Sequence, residues 1–174
     1  MKMQFTYNIF LIGFMGSGKS TVADYLCEKF DMDVVEMDQV IAERERMSIS
    51  DIFEKHGELY FRDLETKLLV ELQEKTNTVV SCGGGVVMRE CNVTEMKKNG
   101  KVVLLTAKPE TILERVENNH DRPLLENNKT VAYIAELMEK RREKYEAAAD
   151  MIIETDGKSA QKICEEMIQR LGEQ

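Results

Sequence analysis

The sequence predicts an α/β fold: a three-layer α/β/α sandwich with a central parallel sheet of about five strands. Three observations carry that prediction. Short apolar runs alternate along the chain with longer stretches of helical periodicity, the order that builds a parallel sheet. A glycine-rich loop joins the first apolar run directly to the first helix, as in a strand–loop–helix anion site. The length of 174 residues suits one domain, residues 1–174, and a hydrophobic content of 43% suffices for its core.

Residues 7–12 read as the first strand and residues 21–30 as the helix after it. Between them runs Gly13-Phe14-Met15-Gly16-Ser17-Gly18-Lys19-Ser20, followed by Thr21. The spelling fits the phosphate-binding loop. Its glycines let backbone N–H groups turn inward onto phosphate oxygens. Lys19 adds a charge for the outer phosphates, and Ser20 offers a hydroxyl to Mg²⁺. The helix points its positive end at the same anion. A nucleoside triphosphate is therefore expected on Gly16, Ser17, Gly18, Lys19, Ser20 and Thr21, with Ser20 as the metal ligand.

Residues 34–37 form the second expected strand, buried and ending at Glu36 and Asp38. Ligands gather at the carboxyl ends of parallel strands. There Asp38 can orient a substrate hydroxyl, accept its proton, or hold Mg²⁺ through water. It can equally cap a helix starting near Gln39. Ser48 and Asp51 cap the next helix, which stops at Gly57. A longer helix over residues 58–74 carries an apolar stripe of Phe61, Leu64, Leu68 and Leu72. Arg62 and Glu65 lie one turn apart and read as a solvated pair.

The third strand, residues 78–82, runs into Gly83-Gly84-Gly85. Ordering three glycines costs more conformational freedom than a tight turn requires. Their use points to a ligand lying against bare backbone N–H groups. A helix over residues 88–97 and a strand over residues 101–106 follow. Pro109 opens the next helix, which ends near Glu117. A lid is expected at about residues 110–128, its polar stretch holding Arg122-Pro123-Leu124-Leu125. From there Arg122 can swing over the phosphates. The chain closes with a helix over residues 130–148 bearing Arg141-Arg142, a strand over residues 150–154 and a helix over residues 158–171. By itself the arginine pair reads as a solvated face.

Composition excludes several classes. A net charge of −8 draws the chain neither to nucleic acid nor to anionic membrane. Residues 1–6 lack a signal-peptide plan, and no apolar run reaches membrane-spanning length. Cys27, Cys82, Cys91 and Cys164 are scattered without a C-x-x-C pair, which fits reduced thiols in a cytoplasm. His56 and His120 are far apart, so no structural metal is expected.

Together these motifs resemble shikimate kinase, of the nucleoside-monophosphate-kinase-like group with a P-loop kinase fold and a mobile lid. The resemblance spans almost the whole chain. It rests on the loop ending in Lys19-Ser20-Thr21, Glu36-x-Asp38, Phe61-Arg62-x-x-Glu65, Gly83-Gly84-Gly85, Arg122-Pro123-Leu124-Leu125 and Arg141-x-x-x-Tyr145. It implies that Asp38 meets the ring hydroxyls of shikimate and serves as base. Arg62 and Arg141 would grip the carboxylate, with the N–H groups of Gly83, Gly84 and Gly85 completing that pocket. Lys19 and Arg122 would meet the transferred phosphoryl group, and Arg115 would stack on adenine. Glu36 stands where the family usually has aspartate at the metal. The implied reaction phosphorylates the 3-hydroxyl of shikimate with ATP and Mg²⁺, towards chorismate. The expected enzyme is a cytoplasmic monomer with no nucleic-acid or membrane partner. A kinase of the same fold acting on gluconate or a nucleoside monophosphate, and a nucleotide-dependent switch, are the alternatives that the motifs leave open.

Overall fold

The computed structural model describes residues 4–117 and 130–172, in which strands and helices alternate as expected. The strands are β1 (Asn8–Ile12), β2 (Asp33–Glu36), β3 (Thr78–Ser81), β4 (Gly100–Thr106) and β5 (Met151–Glu154). They form one sheet in the order β2-β3-β1-β4-β5, and every pairing is parallel. The chain leaves β1 towards one edge and β4 towards the other. A crevice at the carboxyl ends of these neighbours is the expected ligand site of such a sheet.

The period of two along each strand divides the core. Phe10 and Ile12 of β1, Val80 of β3, and Val102 and Leu104 of β4 enter one apolar cluster. Ile9, Leu11, Val79, Val103 and Leu105 enter the other. The first face is covered by α2 (Met37–Glu45), α3 (Ile49–His56), α4 (Glu58–Glu71), α5 (Glu90–Lys98), α6 (Pro109–Val116) and α7 (Val131–Ala148); the second by α1 (Lys19–Phe30) and α8 (Ala160–Gly172). Strands buried on both faces call for near-continuous apolar residues, which β1 provides from Ile9 to Ile12.

Two expectations, the burial of the second strand and the place of Asp38, are corrected. The second strand was expected to be buried, but β2 is an edge strand, exposed to half-buried along its length. It stops at Glu36, so Asp38 lies in the first turn of α2 instead of at a strand end. Asp38 is not the cap of that helix either: Glu36 occupies the N-cap position. The long helix also tightens into a 3₁₀ turn at Leu72–Glu74. The expected lid falls only partly among the described residues. Residues 110–116 of that range belong to α6, whose Ile112 and Val116 are buried. Residues 118–128 of that range, with Arg122, lie outside the described residues.

Local chemistry explains the helix starts. Ser48 Oγ accepts from Asp51 N at 3.1 Å, and Thr130 Oγ1 from Tyr133 N at 3.1 Å, each satisfying a first-turn donor. Pro109 sits in the first turn of α6, where no N–H is needed. α1 differs: its N-cap is Gly18, left-handed at φ 101°, with no side-chain cap. Its first N–H groups are thereby left to an anion.

Candidate active site

The cleft lies where the loop after β1, the start of α2 and the glycine run after β3 converge. It encloses about 280 Å³, and Gly16, Lys19, Ser20, Asp38 and Gly84 line it together with Arg115. The phosphate loop turns through left-handed backbone at Gly16, φ 79°, and Gly18, φ 101°. A side chain on Gly16 would also stand 2.9 Å from Val116 Cγ1, so the loop is pressed onto α6. Lys19 Nζ donates to the carbonyls of Gly13 at 2.6 Å and Phe14 at 3.2 Å, holding its ammonium over the loop. Arg115 Nη1 donates to Gly16 O at 2.9 Å and to Thr155 Oγ1 at 3.2 Å. Its guanidinium thus forms the rim of the cleft beside Gly18.

The glycine run explains itself at the other end. A Cβ on Gly83 would stand 2.7 Å from Glu65 Oε2 and 3.0 Å from Asp38 Oδ1. One on Gly84 would stand 3.0 Å from Arg141 Nη1 and 3.7 Å from Tyr145 Oη. One on Gly85 would overlap the Arg62 guanidinium, 2.6 Å from its Cζ. The glycines therefore let charged side chains lie on the backbone: Asp38 of α2 and Glu65 of α4 at Gly83, Arg141 of α7 at Gly84 and Arg62 of α4 at Gly85. Tyr145 Oη donates to Gly84 O and ties α7 to the run. Arg141 also packs its guanidinium 5.9 Å from the Phe14 ring centroid, a cation–π contact that turns it inward. Its neighbour Arg142 is the solvated one, paired with Glu139 and Glu146.

Arg62 and Glu65 are not a solvated pair. Arg62 Nη1 meets Glu65 Oε1 at 2.7 Å, with side-chain exposures of 12% and 0%. Burial pushes the Glu65 carboxyl above its ordinary range; Arg62 pulls the other way and the charge of Asp38 adds to the rise. Glu65 Oε2 has no hydrogen-bond partner among the described residues and lies against Gly83, beside the cleft. The sequence carried a signal for this. Phe61, Glu65, Leu68 and Leu72 are all buried at helical spacing, so Glu65 is a carboxylate in core phase.

Of the expected site residues, Gly16, Gly18, Lys19, Ser20, Thr21, Asp38, Gly83, Gly84 and Arg115 line one cleft. Arg62 and Arg141 adjoin it through Gly85 and Gly84. Ser17 is placed differently: its side chain is buried behind the loop, and its N–H donates to Phe14 O at 3.1 Å. Arg122 lies outside the described residues. Cys82 borders the cleft, but burial raises its thiol far above the ordinary range. It stays protonated and poorly nucleophilic at neutral pH. Ser20 and Glu36 line the cleft with Lys19. No group of three or more His, Cys, Asp or Glu able to hold a metal occurs among the described residues. A hydroxyl and carboxylates near a phosphate site suit Mg²⁺, which keeps water and phosphate oxygens as its other ligands.

The contact at Gly85 sets an expected result. Gly85→Ala forces a methyl into the Arg62 guanidinium. It should raise KM for an acidic acceptor at least about tenfold, by the free-energy scale of such losses, and leave KM for the nucleotide nearly unchanged. Steady-state kinetics with each substrate varied in turn checks this.

Comparison with known proteins gives a consistent result. The family model for shikimate kinase matches residues 15–172. A shikimate kinase of Persephonella marina is 45% identical over 164 residues, which cover 94% of this chain and 98% of that relative. The shikimate kinase of Acinetobacter baumannii, solved in complex with shikimate, superposes with a TM-score of 0.89 at 33% identity, covering 95% of this chain and 92% of that one. The enzyme of Aquifex aeolicus superposes with a TM-score of 0.81 at 38% identity, over 95% and 96% of the two chains.

Proposed function

This chain belongs to the shikimate kinase family, and on that premise we propose a role for each residue of the cleft. The enzyme transfers the terminal phosphoryl group of ATP to the 3-hydroxyl of shikimate, a step towards chorismate and the aromatic amino acids. On the proposed reading the whole chain works as one domain. ATP lies with its phosphates on the N–H groups of the Gly16–Ser20 turn and at the start of α1, and Arg115 faces the base. Shikimate lies at the other end, on the glycine run.

One observation carries the assignment. Arg62 and Arg141 approach the backbone of Gly85 and Gly84 from two different helices, with Asp38 beside Gly83 in the same cleft as Lys19. Two guanidinium groups against one bare backbone turn suit a planar carboxylate, which arginine binds in bidentate fashion and lysine does not. The ring hydroxyls then fall towards Asp38. Asp38 accepts the proton of the attacking hydroxyl and aims its oxygen at the phosphoryl group. Lys19, released from the loop carbonyls by the incoming phosphates, follows the charge that develops on the transferred group. A Mg²⁺ ion held by the Ser20 hydroxyl, with Glu36 near it, would neutralise phosphate charge. Arg122 is proposed to meet the same phosphoryl group. The four unbridged cysteines suit a monomeric enzyme kept reduced in a cytoplasm.

Coupled release of ADP tests the reading. Shikimate should stimulate turnover and gluconate should not. Arg141→Ala should weaken shikimate binding by roughly 1.5–3 kcal/mol, the range for a charged hydrogen bond, while ATP affinity hardly moves. Equal losses for both ligands would remove Arg141 from the acid pocket.

A further inference from the structure

Asn92 has no exposed surface. It lies on α5, outside the cleft, and phosphoryl transfer makes no direct use of it. Its carboxamide nevertheless spans the two elements that carry opposite walls of the acid pocket. Nδ2 donates to Val86 O at 2.9 Å, in the 3₁₀ turn Val86–Met88 that continues the glycine run. Oδ1 accepts from Thr66 Oγ1 at 2.7 Å, on α4 one turn beyond Arg62. The orientation is dictated by the partners, since the Val86 carbonyl can only accept and must face the amide nitrogen.

The Thr66 hydroxyl is itself held in place. It receives Arg89 Nη1 at 3.3 Å, and Arg89 is anchored on Asp63 at 2.8 Å. The Arg62 carbonyl lies 3.1 Å from the same hydroxyl. A chain of hydrogen bonds thus runs from Thr66, one turn beyond Arg62 on α4, through Asn92 to the backbone next to Gly85. Tolerance at this point is small. The Arg62 guanidinium already lies on bare backbone, where even a methyl on Gly85 would be 2.6 Å from Cζ. A shift of a few tenths of an ångström between α4 and the turn would close that gap or open it.

We propose that Asn92 and Thr66 are a positioning pair that sets the spacing between the Arg62 guanidinium and the N–H groups of the glycine run, and through it the affinity for the carboxylate of the acceptor. The pair contacts neither substrate. It acts through Arg62 and the turn, because a buried amide satisfied at both ends fixes the distance between its partners more sharply than apolar packing does. The inference rests on the reading of Arg62 and Arg141 as the carboxylate clamp.

Two substitutions test it in the full-length enzyme. Asn92→Asp sets a carboxylate oxygen against the Val86 carbonyl. Thr66→Val keeps the shape and removes the hydroxyl. Each should raise KM for shikimate about tenfold, equivalent to about 1.4 kcal/mol, with KM for ATP and kcat within about twofold of the parent. Because the two act through one contact, the double variant should fall short of the product of the single effects. Thr66→Ser, which restores the hydroxyl, should restore KM for shikimate. A role confined to stability would lower Tm and leave the KM values alone; that result, or a parallel rise for both substrates, overturns the proposal. If Asn92→Asp does not fold, the comparison of Thr66→Val with Thr66→Ser decides. Arg141→Ala belongs in the same assay. If it leaves KM for shikimate unchanged, the clamp reading fails; if it raises KM and the Thr66 and Asn92 variants do not, only the positioning pair fails.

Discussion

Asp38→Asn is expected to reduce turnover by about 10²–10⁴-fold, the usual contribution of a positioned general base, with ATP affinity nearly unchanged. The substitution keeps shape and removes only charge and basicity. Asp38 lies beside Gly83 and lines the same cleft as the phosphate loop. Folding should not suffer, because the charge of Asp38 works against that of Glu65. Isotherms for ATP, together with kcat for the variant, test the assignment. Near-normal turnover would take Asp38 out of the mechanism.

The second large effect is expected at Arg62→Met. This variant should lose shikimate binding and also stability, because Glu65 is left fully buried without its cationic partner. Removal of one member of a buried pair costs about 3–5 kcal/mol. The pH dependence has a definite sign. Burial raises the Glu65 carboxyl in the native state and Arg62 opposes the rise, so the variant carries the larger upward shift. A native state with a raised carboxyl pKa binds more protons than the unfolded chain. Its stability is therefore present below the unfolded value and lost as pH rises through the folded value. The Tm deficit of Arg62→Met should shrink as pH falls from about 7 to about 5, in the range above the ordinary glutamate value. Adding Glu65→Gln should recover much of the stability and none of the shikimate affinity. A deficit independent of pH would mean that Glu65 is not the group left behind.

The limits of sequence reasoning show at particular residues. The phosphate loop was legible because its function is local: glycines, Lys19 and Ser20 lie within one turn and need no distant partner. The glycine run stood out as three bare residues after an apolar run, but what lies against it, Asp38, Glu65, Arg62 and Arg141, comes from distant helices. Arg62 and Arg141 read as solvated residues by spacing alone, and only the resemblance placed them in the pocket. Their inward turn depends on Gly84, Gly85 and Phe14, none of which is near them in the chain. By spacing alone Glu65 reads as half of a surface pair, although it stands in phase with the buried Phe61, Leu68 and Leu72. Asn92 offered no signal, because a buried amide is recognised only by what it bridges.

Taken by itself, the sequence determined the layering of the fold and the anion-binding loop, which depend on periodicity and on contacts between residues close in the chain. The class of reaction came from the resemblance that its motifs carry. Tertiary structure alone decided which charges are buried, which arginine of a neighbouring pair faces inward, and how the helix bearing Arg62 is spaced from the glycine backbone. Desolvation and close packing between elements far apart in sequence set those features, and neither is written in any short stretch of residues.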